Sequence, residues 1–258
     1  MYRFDVEKAT SDCINWIKNW IINNGNNYTK AVIGISGGKD STVCAKLLCE
    51  ALGKDRVIGV MMPNGEQKDI SDSIEVCKLL GIDSYTINIS EAFNALSRNI
   101  VHDNDPYSIF AETEQNETNT PARLRMTALY SLGALIGNCR VVNTGNLSEE
   151  VLGYSTYGGD GFGDFAPIIH LTTEEVVAIG DHLGLPYNLT HKTPSDGMCG
   201  KSDEDNLGFT YHEVNELIRN NIQGEHKEEI LKKYRANKFK TDNIRLPYFD
   251  PELPNYIN

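Results

Sequence analysis

Long apolar runs are missing from this sequence, and so is the positive charge that nucleic-acid binding draws on. No stretch approaches the ~20 apolar residues needed to cross a bilayer as a helix. The amino-terminal MYRFDVEKAT has no apolar segment after its basic residue and does not read as a secretory signal, so a cytoplasmic protein is expected. Lys and Arg number 24 against 36 Asp and Glu, a formal net charge of -12. No basic block offsets it, and such a surface repels phosphodiester backbones, so no nucleic-acid partner is expected. Cysteine is sparse: six residues, at 13, 44, 49, 77, 139 and 199, none in a CxxC pair. The six histidines lack metal-ligand spacing such as HExxH. These absences argue against a zinc site or a disulfide framework and for reduced cysteines packed as small hydrophobes.

The composition present, 40% hydrophobic and 23% charged over 258 residues, is that of an ordinary globular chain. Asp5 to about Ile22 places Val6, Cys13, Ile14, Ile17 and Ile21 at helical spacing; its Trp16–Trp20 pair reads as core or subunit contact. Strand and helix then alternate. KAVIGI (30–35), RVIGVMM (56–62), SYTINI (84–89) and RVVNT (140–144) are predicted strands. TVCAKLLCEALG, DISDSIEVCKLLG, SEAFNALSRNIVH and PARLRMTALYSLGALIG are predicted helices, with Gly53 as a stop, Ser90 as a cap and Pro121 at a helix start. Asp103 to Thr120, polar and acidic, reads as a loop or a poorly ordered segment. Parallel strands need long crossovers, so the pattern predicts an α/β fold: one domain, an open parallel sheet with helices on both faces. GYSTYGGDGFGDF (153–165) is too glycine-dense for a helix or central strand. TTEE (172–175) and TYHE (210–213) fit capping boxes and predict helix starts. HKTPSDGMCGKSDEDNLG (191–208) reads as a long functional loop, EHKEEILKKYRANK as a charged helix and RLPYFDPELP as an extended tail.

The most informative segment is GISGGKDS, Gly34, Ile35, Ser36, Gly37, Gly38, Lys39, Asp40 and Ser41, where a strand turns into a helix. Unpaired amides and the helix dipole favour anionic oxygen there. Gly37 and Gly38 allow close approach, and Ser36 and Ser41 add hydroxyls. Asp40 would repel a phosphate unless it holds Mg2+, which neutralises the phosphates it bridges. Lys39 reads as a solvated side chain rather than a catalytic one. The segment is neither GxxxxGK[ST] nor GxGxxG.

SGGKDS resembles the loop of the ATP-pyrophosphatase superfamily, which implies an adenine nucleotide alpha-hydrolase-like, Rossmann-like fold and cleavage of ATP between its α- and β-phosphates. Further motifs resemble the ammonia-dependent NAD synthetases, in family order from residue 34 to 218. NTPARLRM (119–126) resembles N-x-x-A-R-x-R-M, which implies that Asn119 and Arg123 bind deamido-NAD; Arg125 shares the motif. NTGNLSEEVLGY (143–154) resembles G-T-x-x-x-x-E-x-x-x-G-[FY]. This implies Thr144 at the ATP and Glu149 as the second carboxylate on Mg2+, with Glu150 as a rival. YGGDGFGDFAPI (157–168) resembles the loop in which Asp164 contacts deamido-NAD; Asp160 matches a second aspartate that turn chemistry explains as well. TPSDGMCGKSDEDNLGFTY resembles the last signature, implying Ser195 at the ATP and Glu204 at the substrate.

The chain departs from the family at Tyr157 and at Thr173, an ATP-binding position, where lysines are common, and at Phe239-Lys240, which replace a His-Lys pair of the dinucleotide site. Lys192 or Lys201 is expected to restore the missing charge. The implied catalytic and metal residues are Asp40 and Glu149. The implied chemistry is adenylation of deamido-NAD by ATP, then displacement of AMP by ammonia. No amidase segment is recognised, so free ammonia is the expected nitrogen source. Asp164 or a substrate-bound water is the expected proton acceptor, and a homodimer with the Arg123 helix at its interface is implied. The rival readings are a tRNA-modifying ATP-pyrophosphatase and a nucleotide-binding regulatory module.

Overall fold

The computed structural model describes residues 2–67, 69–100, 113–192, 203–242 and 246–257. Ser195, Cys199 and Lys201 lie outside the described residues.

Alternation of apolar segments with helical ones builds the expected sheet. The strands β1 (Lys30–Gly34), β2 (Val57–Met61), β3 (Asp83–Thr86) and β4 (Cys139–Val141) lie in the order β3-β2-β1-β4, and every pairing is parallel. Successive side chains on a strand point to opposite faces, and both faces are covered. On one side Ala31, Ile33 and Val57 pack with α1 (Val6–Asn23), α2 (Lys39–Leu52), α3 (Ile70–Leu80) and later apolar residues of the chain. On the other, Val32, Ile58, Val60 and Val141 meet Met126, Leu129 and Leu132 of α5 (Glu114–Ile136). The helix α4 (Ser90–Asn99) lies against α5. Trp16 and Trp20 are partly buried and pack against the core, with Trp20 stacked 4.4 Å from Phe165.

Past the sheet, α6 (Leu147–Leu152), α7 (Thr173–His182), α8 (Tyr187–Thr190), α9 (Asp203–Leu207), α10 (Tyr211–Asn220) and α11 (Lys227–Asp242) follow. Leu147, Val151 and Leu152 join Phe209, Val214, Ile218 and Ile230 in a separate apolar cluster. Both predicted capping boxes form, on Thr172 with Glu175 and on Thr210 with Glu213. Residues 246–257 run extended, anchored by Phe249 and by the bond from Ala166 N to Pro247 O.

Several expectations about boundaries change, and the predicted loop 191–208 contains the helix Asp203–Leu207. The helix predicted from Pro121 begins at Glu114, because Thr113 caps it by accepting from Asn116 N; Pro121 then sits inside the helix, and 114–120 is not loop. Ser90 is the first helical residue of α4, not its cap: Asn88 Oδ1 accepts from Ser90 N at 3.0 Å. The helix after the glycine turn starts at Lys39, so Asp40 and Ser41 lie in its first turn.

Candidate active site

In an open parallel sheet, ligands bind at the carboxyl ends of the strands where the strand order reverses direction. Here that point falls between β1 and β4, whose neighbour on the other side of β1 is β2. The glycine turn leaves β1 there, and Asn143 to Asn146 leave β4 beside it.

Within the turn, Ser36 Oγ and Ser41 Oγ stand 3.0 Å apart, Gly38 N donates to Ser36 Oγ at 3.2 Å, and Thr42 Oγ1 donates to Gly38 O at 2.7 Å. Gly38 is the N-cap of α2 and makes no side-chain cap bond, leaving the helix start to external oxygen. Gly37 has φ +79°, and a Cβ there would stand 2.9 Å from Asp72 Cβ and 3.0 Å from Ser73 N. The turn rests directly on the start of α3, so glycine is required twice, by conformation and by space.

The start of α2, that of α6 and that of α7 converge on one buried side chain, Asn146. Its Nδ2 donates to Asp40 Oδ1 at 3.1 Å, and its Oδ1 accepts from Glu149 N at 3.1 Å and from Thr173 Oγ1 at 3.4 Å. Glu149 reaches back to Asn146 N at 3.4 Å, completing a capping box. Burial, reinforced by the Asp40 carboxylate, pushes Glu149 up to about 8, while Lys39 pulls the other way. Two carboxylates at one place, one of them reluctant to ionise, form a site short of positive charge. Their hard oxygens suit a divalent cation whose shell is completed by substrate phosphate and water. Among the described residues, no group of three His, Cys, Asp or Glu could hold a metal unaided.

Thr173 is buried with its amide on Ser148 Oγ at 3.0 Å, so it supplies no cation. Thr144 lies partly exposed between Asn143 and Asn146. Glu150 is pushed up to about 7 by burial, with Lys240 opposing the shift. Lys39 corrects its sequence reading: it is only 6% exposed and pairs with Asp40 Oδ2 at 2.9 Å, because Tyr211 of α10 covers it, its ring centre 6.0 Å from Nζ. Lys192 Nζ binds Asp72 Oδ2 at 2.6 Å and Asp69 Oδ2 at 3.5 Å, beside Gly37. Burial alone would lower its pKa, but the two carboxylates hold it raised.

A second group of residues gathers along α5. Arg123 Nε donates to Tyr157 O at 3.1 Å, and Thr156 Oγ1 donates to Asn119 Oδ1 at 2.8 Å. The glycine-dense loop can lie this close because Gly159 has no Cβ, which would meet the Ala122 backbone at 3.0 Å. Asp160 performs turn chemistry, accepting from Thr156 N at 2.7 Å. Asp164 staples the sheet to α5: Oδ2 accepts from Val141 N at 2.8 Å and Oδ1 from the Tyr130 hydroxyl at 3.0 Å. A cleft of about 510 Å3 opens here, lined by Arg123, Met126, Tyr130 and Phe162 among others. Arg125 is partly buried, not a solvated charge, and donates to Met62 O at 3.0 Å. Tyr157 is largely exposed.

The remaining sequence candidates lie nearer the carboxyl end. Lys240 Nζ holds Gly153 O at 2.7 Å and Ser155 O at 2.9 Å, while Phe239 is exposed. Glu204 Oε1 accepts from Tyr211 N at 2.8 Å. Sequence reasoning missed Asn143 and Asn146. Asn143 Nδ2 holds Asp160 O and Phe162 O at 2.8 and 3.1 Å, tying the glycine loop to the end of β4. The signal for Asn146 was present in NLSE (146–149), which fits a capping box as well as TTEE does.

Residues 9–247 match the NAD synthase family. The chain belongs to this family. The NH(3)-dependent NAD(+) synthetase of Pyrococcus furiosus is 36% identical over 219 residues, 84% of this chain and 79% of that protein. An NMN synthetase structure from Francisella tularensis superposes with a TM-score of 0.81 at 30% identity, covering 96% of this chain and all of that one. An NH3-dependent NAD synthetase from Campylobacter jejuni superposes at 0.73 with 26% identity, covering 95% and 99%. As a member of the NAD synthase family, the protein is a ligase that forms a carbon–nitrogen bond, and ATP is a substrate. Among the described residues no helix is long and apolar enough to cross a membrane.

Proposed function

We propose that the protein converts deamido-NAD to NAD with ATP and free ammonia, in the cytoplasm, through an adenylated intermediate. The observation that carries this reading is the meeting of Asp40 and Glu149 on Asn146 beside the glycine turn. A carboxylate is a poor electrophile because its leaving group would be oxide; joining it to AMP supplies a better one. In this reading the carboxylate of the substrate attacks the α-phosphorus of ATP, the turn amides and the hydroxyls of Ser36 and Ser41 take pyrophosphate, and ammonia then displaces AMP. Thr144 and Ser195 complete the ATP site. Asp40 and Glu149 would hold Mg2+. Such a cation, when bound, would neutralise phosphate charge. Asn119, Arg123, Tyr157, Asp164 and Glu204 would orient deamido-NAD, with Phe239 and Lys240 at its far edge. Catalysis of this kind rests on positioning and charge stabilisation. Ammonia rather than glutamine is supported by the names of the relatives, and we read the chain as one synthetase domain.

A homodimer through α5 is also proposed. An apolar groove of about 320 Å3 between α4 and α5 is lined by Ile87, Ile89, Ala92, Leu124 and Leu135, among others, and Leu135 is 85% exposed. A large side chain so placed is expected where a partner covers it. Leu135→Glu should shift the protein to monomer in analytical ultracentrifugation.

A second reading, that the product is NMN, is favoured by the Francisella tularensis structure. One assay separates the two. Purified protein with ATP, Mg2+ and ammonium is given either deamido-NAD or nicotinate mononucleotide, and NAD, NMN and AMP are followed. NAD with stoichiometric AMP is expected. Amidation of the mononucleotide alone would transfer the reading to NMN, and no amide from either would end it.

A further inference from the structure

The reaction proposed above leaves Lys39 without a task, yet its position is costly. An ammonium taken out of water is destabilising unless it is paired. Lys39 is buried and pairs with Asp40 Oδ2 at 2.9 Å, and Asn146 Nδ2 already occupies Oδ1. Both oxygens of a carboxylate that would hold a metal are thus engaged by internal donors. Glu149 lies within the field of the same ammonium. Two cations cannot share Oδ2 without strong repulsion.

We propose that Lys39 is a built-in placeholder cation, neutralising Asp40 while the nucleotide is away. It yields Oδ2 to the divalent cation that arrives with ATP and turns its ammonium to the nucleotide phosphates. This rests on the reading of Asp40 and Glu149 as the metal-holding pair. The Asn146 amide stays in place through the exchange, because it is neutral and keeps to Oδ1. The compact ammonium on a flexible four-carbon stem is the group suited to such a move. Lys39 begins α2, so its swing stays beside the turn amides that would hold pyrophosphate. The effect of Lys39 on the metal therefore has the opposite sign to its effect on ATP.

The test is Mn2+ binding followed by electron paramagnetic resonance, with wild type, Lys39→Gln, Lys39→Met and Asp40→Asn. Without nucleotide, both Lys39 variants should bind Mn2+ more tightly, by on the order of tenfold. The same variants should raise KM for ATP in the NAD-forming assay. Damage to the turn would weaken both, so the opposed signs separate a placeholder from a structural lysine. The isosteric Met variant, checked by thermal unfolding, serves if Gln does not fold. Mn2+ affinity equal to or below wild type in the folded Lys39 variants overturns the proposal. Undiminished Mn2+ binding by Asp40→Asn overturns the metal assignment beneath it, a failure visible in that control alone.

Discussion

Lys192 donates to Asp72 at 2.6 Å, and Asp72 is the residue on which the glycine turn rests. The pair puts a cation beside the phosphate site in a chain whose Tyr157 and Thr173 provide none. Lys192→Ala should raise KM for ATP by about tenfold, the scale of a lost charge-assisted contact. Steady-state kinetics at varied ATP would measure it, and an unchanged KM would show that the ammonium serves only the start of α3.

Gly37 admits no side chain. Alanine would need a positive φ and would press on Asp72 and Ser73, costing roughly 1–3 kcal/mol. Gly37→Ala is expected to lower the melting temperature and abolish ATP protection against heat; retention of full protection would contradict the tight turn.

Glu175 closes a capping box and also pairs with Arg219, whose Nε and Nη2 lie 2.7 Å from its two oxygens, each side chain 5% exposed. With the capping bond from Thr172 N, Tyr2 adds a fourth bond to the same carboxylate. Removing one partner leaves a buried charge, so Glu175→Ala should cost about 3–5 kcal/mol in urea unfolding. A loss below about 1 kcal/mol would show that water reaches Arg219.

His170 meets the Tyr248 ring at a tilt of 31° with ring centres 3.9 Å apart, and its Nδ1 is 3.9 Å from Asp250. Burial holds its pKa below the ordinary value, Arg219 adding to the effect and Asp250 opposing it. The unfolded chain therefore takes the proton first as pH falls, and stability is lost on going below about pH 6.5. His170→Gln should flatten that part of the profile in denaturant melts at pH 5.5 and 7.5, while the same slope in wild type and variant would assign it elsewhere.

The parallel sheet was legible because β1 and β2 are short apolar runs rich in β-branched residues, set between segments of helical spacing such as α1. The capping boxes at Thr172 and Thr210 were legible to the residue, since their bonds span only three positions. What escaped depends on contacts distant in sequence. Lys39 reads as solvated until Tyr211, far along the chain, covers it. Nothing near Glu175 announces Arg219. The early start of α5 was missed because Thr113 caps a polar turn, where composition resembles loop. Asn146 was missed because a capping box spans three residues, whereas its bonds to Asp40 and Thr173 join segments distant in sequence.

The hub at Asn146 draws on Asp40, Glu149 and Thr173, parts of the chain made far apart in time during synthesis. A nascent chain halted before residue 173 would own a phosphate turn but lack the third arm that steadies its acids. Competence for the nucleotide therefore arrives late and all at once, and ATP should protect the whole molecule against proteolysis rather than one segment of it.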